Sequence, residues 1–295
     1  MNSFKSRYKG LVAVDFDGTL HCSGREKGPD NIVKTVPSGI CEENHRALET
    51  LKTRRMCRVI VTGRSLFSFQ RAAEKLNLDI DYLIFSSGAG TLRWPDRKLL
   101  KCARLCEGEI RKISAVLMAE KADFMIQAPI PDNHHLHYWS SGEGHPDYHR
   151  RLEIYREWSR PWDPGERDPA EASQFIAVLP PGAELEPFYR RLKDFSLIRA
   201  TSPIDHESIW LEIFPPAVNK GRATEDLARS LGLSATDVLG VGNDTNDLDL
   251  LEWAGTAYTV ADAHGGLADK FPFTGTCGEG GFAGAVEEWL TRRRG

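Results

Sequence analysis

Leu11-Val12-Ala13-Val14-Asp15-Phe16-Asp17-Gly18-Thr19-Leu20 is a short apolar run that stops on two carboxylates and a glycine. Four apolar residues, β-branched in part and bounded by Gly10 and Gly18, read as a buried strand. In open parallel sheets, sites form outside the carboxyl ends of strands, so Asp15 and Asp17 stand at such a rim. Two positions apart in an extended segment, both side chains serve one pocket in separate roles. One carboxylate can attack a phosphoryl group covalently and divide hydrolysis into two easier steps. The other can protonate the departing oxygen and later deprotonate a water. A lone D-x-D is a common surface pattern; D-x-D-G-T closing a buried strand is far more specific.

Working outward, the same texture repeats. A helix is expected over 39–54, with Leu48 and Leu51 on one side, followed by a buried strand at 57–62, CRVIVT. LFSFQRAAEKL (66–76) reads as an amphipathic helix and YLIFS (82–86) as a third strand. The last region alternates likewise: a helix from Asn219, strands at 238–242 and 256–260 with a helix near 246–253 between them, and a closing helix at 282–290. This alternation predicts a parallel sheet with helices on both faces. From about 92 to 213 the chain differs, with prolines, histidines and tryptophans gathered in APIPDNHHLHYWSSGEGHPDYH and SRPWDPGERDP. Strand candidates at 175–180 and 208–214 and helix candidates near 107–120 and 184–194 make it an α+β insertion. The stretch 159–173, rich in charge and proline, is expected to be a mobile loop.

Three further pieces fall at element starts. Thr62-Gly63-Arg64 ends the second strand with a hydroxyl and backbone N–H groups suited to phosphate oxygens. Lys220, in Asn219-Lys220-Gly221, stands where a cation opposes the helix dipole, and an anion there would account for it. Gly242-Asn243-Asp244-Thr245-Asn246-Asp247 offers a cluster of oxygen ligands of the kind that suits Mg²⁺ beside a phosphate.

These pieces, in this order and at these strand ends, resemble the haloacid dehalogenase superfamily of phosphotransferases. SSGAG (86–90), LEIFPPAVNKG (211–221) and GNDTNDLDLLEWAG (242–255) resemble more narrowly its Cof-type subgroup, subclass IIB, with a C2 cap. The resemblance implies a Rossmann-like three-layer α/β core from 1–91 and 214–295, and an inserted α+β cap at 92–213 that sets specificity. It implies a magnesium-dependent phosphatase acting on a small phosphate monoester, by default a sugar phosphate, through an aspartyl-phosphate. Asp15 would be the nucleophile and Asp17 the general acid/base. Thr62, Gly63, Lys220 and Asn246 would hold the phosphoryl group; Asp15, the Asp17 carbonyl, Asn243 and Asp247 would hold Mg²⁺. One departure stands out: the family usually has aspartate at the position of Asn243. Asparagine still offers a carbonyl oxygen, or Asp244 or Asp247 takes over the charge. A phosphomutase with the same nucleophile, and a weakened binding or regulatory module, are the alternative readings.

The rest of the sequence narrows the class. The 295 residues are 41% hydrophobic and 27% charged with a formal charge of -4, which gives no chain-wide electrostatic reason to bind nucleic acid or anionic lipid. No apolar run has membrane-spanning length and no signal region follows the N-terminus, so a cytoplasmic protein is expected, its partners small phosphorylated metabolites and its oligomeric state open. Six cysteines over this length suggest reduced thiols rather than a disulfide framework. His145 and His149 share a helical spacing, but without accompanying cysteines or carboxylates zinc is the weaker reading of these and of His134, His135 and His137. His21 reads as loop surface. Trp94, Trp139, Trp158, Trp162 and Trp210 are expected in the insertion's own core or stacked on a sugar.

Overall fold

The computed structural model describes residues 7–22, 24–27, 33–35, 38–142, 144–165, 168–202, 204–205, 207–264 and 266–293. The apolar runs become strands Leu11–Val14, Cys57–Val61, Tyr82–Phe85, Val238–Gly242 and Thr256–Thr259. Their side chains alternate between two covered faces. Leu11, Ala13, Val59, Val61 and Ile84 pack with Ala223, Leu227 and Leu250. Val12, Val14 and Ile60 meet Leu48, Leu51 and Phe282 on the other side. Cover on both faces is why these runs are apolar throughout rather than alternating.

The sheet runs in the order Thr256–Thr259, Val238–Gly242, Leu11–Val14, Cys57–Val61, Tyr82–Phe85, Gly90–Arg93, Lys98–Cys102. The first five strands are parallel, and Gly90–Arg93 returns antiparallel beside Tyr82–Phe85. Val14 lies opposite both Val241 and Ile60, so the residues that follow these three strands emerge on one rim. The strand order reverses at Leu11–Val14, the switch point at which open α/β sheets leave a crevice. Helix Lys220–Ser230 reaches that rim with its start fixed by Asn219, whose side chain accepts the Arg222 N–H at 2.6 Å. The three-layer α/β core is therefore as the sequence indicates.

The chain divides into two compact units: Met1–Gly63, Ala72–Lys101 and Asn219–Gly295 form one, Arg64–Arg71 and Cys102–Val218 the other. The second has its own six-stranded sheet, ordered Ser159–Pro161, Leu136–Trp139, Asp123–Gln127, Gln174–Leu179, Ile209–Phe214, Ser196–Thr201. Helices Glu107–Ala119 and Glu186–Arg191 cover one face, through Ile110, Ile113, Leu117 and Phe188 against Phe124, Phe175 and Leu211. Helix Pro146–Ile154 covers the other, setting Tyr148 against Met125, Ile176, Val178 and Trp210.

Three expectations change. Residues 92–101 extend the first sheet rather than opening the insertion, because the two hairpin strands find open edges there. The stretch 159–173 is not a free loop where it is described: Ser159–Pro161 pairs with Leu136–Trp139, Glu171–Ala172 pairs with Leu105–Cys106, and Trp162 between them is buried. Residues 166–167 lie outside the described residues. Cys22 and Cys277 are joined as a disulfide across 255 positions, contrary to the all-thiol reading, while Cys41, Cys57, Cys102 and Cys106 are free. No helix among the described residues is long and apolar enough to cross a membrane.

Candidate active site

Asp15 leaves the strand with its N–H still in the sheet, donating to the Val241 carbonyl at 2.9 Å. The chain then folds tightly: the N–H groups of Leu20 and His21 both donate to the Phe16 carbonyl, and that of Gly18 to the His21 carbonyl. His21 is only half-exposed and stacks on Phe16 at 4.8 Å, so it belongs to this loop rather than to open surface. Gly18 has φ 75°, and a Cβ there would stand 2.4 Å from Asn243 Nδ2. Both the backbone conformation and the close approach demand glycine. Asn243 is thereby placed against the loop that carries Asp15 and Asp17.

Lys220 is the centre of the arrangement. It is 1% exposed, and its Nζ donates to Asp15 Oδ1 at 2.6 Å and to Asp247 Oδ1 at 2.5 Å, with Asn246 Oδ1 at 3.4 Å. An ammonium at the start of a helix is opposed by the helix dipole, and these two carboxylates compensate it. Asp247 has its other oxygen engaged as well: Oδ2 accepts the N–H groups of Asn243 at 2.9 Å and Asp244 at 3.1 Å. Both oxygens thus engage Lys220 and the turn, so Asp247 braces the one against the other. Gly242 leaves room for it, since a Cβ there would meet the Asp247 Cβ at 2.5 Å. Asp244 is engaged too, accepting the Thr245 N–H at 2.7 Å.

Thr62 is buried at the end of the neighbouring strand, its N–H donating to the Ile84 carbonyl and its own carbonyl accepting the Ser87 N–H. A Cβ on Gly63 would lie 3.5 Å from Ser87 Oγ and 3.8 Å from Asn246 Nδ2, so Gly63 sits between the third and fourth strand ends. Asp15, Lys220, Asn243, Asn246, Asp247 and Gly63 are linked in this way, with Asp17 in the same loop as Asp15. Arg64 belongs to the other unit, where its Nη1 meets Ser68 Oγ. The turn Ser86-Ser87-Gly88, which the sequence marked only through a resemblance, was missed as part of the site. Its signal, two consecutive serines in left-handed backbone, is invisible until φ is known.

Burial raises the Asp15 carboxyl to about 8, with the Asp247 and Asp17 carboxylates adding to the rise and Lys220 opposing it. Burial acts against the Lys220 ammonium, but Asp15 and Asp247 outweigh it and its pKa rises. Lys220 therefore stays charged, and Asp15 is the member whose state responds to pH or to added positive charge. The Asp247 and Asp17 carboxylates both act on Asp15, which Lys220 contacts through its ammonium. Such surplus negative charge suits a divalent cation. Among the described residues no three His, Cys, Asp or Glu side chains converge as a metal-binding group. Mg²⁺ keeps waters and takes few carboxylates, and the oxygen donors of Asp15 and Asn243, brought to one loop by the close approach of Asn243 to Gly18, are of the chemistry it takes.

A family model described as haloacid dehalogenase-like hydrolase matches residues 12–276. The chain is 24% identical to a putative phosphatase, YxeH, of Bacillus subtilis (strain 168), over 94% of this chain and 97% of that one. It is also 24% identical to the 5-amino-6-(5-phospho-D-ribitylamino)uracil phosphatase YwtE of the same organism, over 95% and 98% of the two chains. Its fold is similar to that of the subclass IIB sugar phosphatase BT4131, with a TM-score of 0.70 at 15% identity, covering 95% and 99%.

Proposed function

The chain belongs to the haloacid dehalogenase-like hydrolases and acts on phosphoric monoesters, and from that premise we propose that it hydrolyses a small phosphorylated polyol or sugar through an aspartyl-phosphate on Asp15. The observation that carries this reading is the buried Lys220 held between Asp15 and Asp247 at 2.6 and 2.5 Å. A lysine in that position fixes the orientation of one carboxylate at the rim and supplies positive charge where a phosphoryl group would bring negative charge.

In the first step an Asp15 oxygen attacks phosphorus as the bond to the leaving oxygen breaks, and Asp17 gives that oxygen its proton. In the second, Asp17 takes a proton from water, the water oxygen attacks the same phosphorus, and Asp15 departs as a carboxylate with release of inorganic phosphate. The Thr62 hydroxyl and Gly63 N–H hold phosphoryl oxygens, and Asn246 stands beside them. Asp247 keeps Lys220 in place and ties it to the Asn243–Asp247 turn. Bound Mg²⁺, held by the Asp15 carboxylate, the Asp17 carbonyl and Asn243, would offset the repulsion between an anionic carboxylate and an anionic phosphate.

Support for the substrate class comes from the relatives. One bears a name with a phosphorylated ribityl chain and another is a sugar phosphatase; phosphate on a polyhydroxylated carbon chain is common to both. The second unit, Cys102–Val218 with Arg64–Arg71, is assigned the choice of leaving group. The test is phosphate release from a panel of sugar and polyol phosphates with Mg²⁺, repeated with Asp15→Asn. Loss of turnover by at least about 10³-fold is expected, since no covalent step remains. Undiminished turnover in the variant overturns the nucleophile, and isomer formation in place of free phosphate would turn the reading to a mutase.

A further inference from the structure

The connection between Tyr82–Phe85 and Gly90–Arg93 breaks two habits of hairpin turns. Turns normally lie on the surface, yet Ser86, Ser87 and Ala89 are buried, at 1%, 0% and 0% exposure. Left-handed backbone normally falls to glycine or asparagine, yet Ser86 has φ 48° and Ser87 φ 52°, ahead of Gly88 at φ 106°. Consecutive non-glycine residues persist in this conformation only when their surroundings hold them there, and such residues gather at functional sites.

What holds them is the proposed phosphate-binding machinery on either side. The Ser87 N–H donates to the Thr62 carbonyl at 3.0 Å, and Ser87 Oγ lies 3.5 Å from where a Gly63 Cβ would be. One residue on, the Gly88 backbone is so close to Asn219 that a Cβ would stand 2.4 Å from its carbonyl oxygen. Asn219 starts the helix whose first residue is Lys220. The turn thus touches the Thr62–Gly63 loop with Ser87 and the Lys220 helix start with Gly88.

We propose that Ser87 is a positioning residue for phosphoryl transfer, its hydroxyl, which the left-handed turn holds against Gly63, setting the Thr62–Gly63 loop in register with Lys220. This rests on the phosphatase reading above and deepens it. Glycine at 87 retains the N–H and the backbone conformation while removing the hydroxyl and the strain; asparagine tolerates the conformation and restores a polar side chain.

The experiment compares wild type, Ser87→Gly and Ser87→Asn in kcat, KM, unfolding temperature and binding of orthovanadate, a pentacoordinate phosphate mimic, read as a thermal shift without substrate. Expected for Ser87→Gly are an unfolding temperature equal to or above wild type, kcat lower by roughly tenfold with KM within about twofold, and vanadate binding weaker by a matching factor. Ser87→Asn recovers most of both. Wild-type kcat and vanadate binding in Ser87→Gly overturn the proposal. So does a loss that follows falling stability and is not recovered by asparagine. The vanadate arm reads the turn even without turnover, whereas Asp15→Asn tests the phosphatase reading, so the two failures are distinct.

Discussion

Replacing Lys220 by methionine tests the electrostatic centre of the site without relying on any substrate. The side chain keeps its approximate length and loses its charge. Its partners cannot turn to water, because the Asp15 and Asp247 side chains are only 7% and 0% exposed. Removing one partner of a buried ion pair leaves uncompensated charge and costs about 3–5 kcal/mol. For a chain of this size that lowers the unfolding temperature by about 6–20 °C, at roughly 2–4 °C per kcal/mol. The sign of the pH dependence follows. Unpaired buried carboxylates hold protons more tightly in the folded state than in the unfolded chain, where Asp titrates near about 3.9. The folded variant then carries more protons, so its stability falls as pH rises above that value. Urea unfolding of wild type and variant at about pH 5 and about pH 8 should show the larger deficit at the higher pH. Adding Asp247→Asn should recover part of it, because one of the stranded charges disappears. A deficit below about 1 kcal/mol, or one that is equal at both pH values, would refute the ion-pair argument.

Asn243→Asp should tighten Mg²⁺ binding by roughly tenfold, since ligand charge count sets affinity at oxygen sites; a Mg²⁺ titration followed by thermal shift reads it, and unchanged affinity removes Asn243 from the metal site. Asp15, raised by burial to about 8, must lose its proton to hold a cation. Without metal, that raised pKa means stability falls as pH rises from the unfolded value towards about 8, and the Mg²⁺-induced thermal shift should grow over the same interval. A shift independent of pH argues against Asp15 as a ligand. Cys22→Ser with Cys277→Ser should cost about 2–5 kcal/mol, given the long loop the disulfide closes. Reductant should then lower the unfolding temperature of wild type but not of the variant, and equal behaviour would show that the bond does not form in solution.

The sequence alone determined the core sheet and the rim. Four-to-six-residue apolar runs such as LVAV, CRVIV and VLGVG carry their own evidence of burial on both faces, and alternation with amphipathic helices leaves few topologies. The positions of Asp15, Thr62, Lys220 and Asn243 at element ends follow from the same pattern, because composition changes where a strand stops. Tertiary structure alone decided which of these touch and what each is committed to. A carboxylate in an oxygen-rich turn, such as Asp247, does not name its partners in sequence; its contacts with Lys220 and two backbone N–H groups exist only once residues 27 and fewer positions apart converge. Cys22 and Cys277 pair across 255 positions, a separation at which sequence holds no information about proximity. Residues 159–161 are polar and carry proline, as loops do, yet form an edge strand because an open sheet edge lies beside them. Ser86 and Ser87 show the limit most clearly: φ is set by what surrounds a residue, and local preference argues against the conformation that both adopt. Periodicity is a local property and survives in one dimension, whereas partnership, pairing and strain are properties of distance, which the chain acquires only on folding.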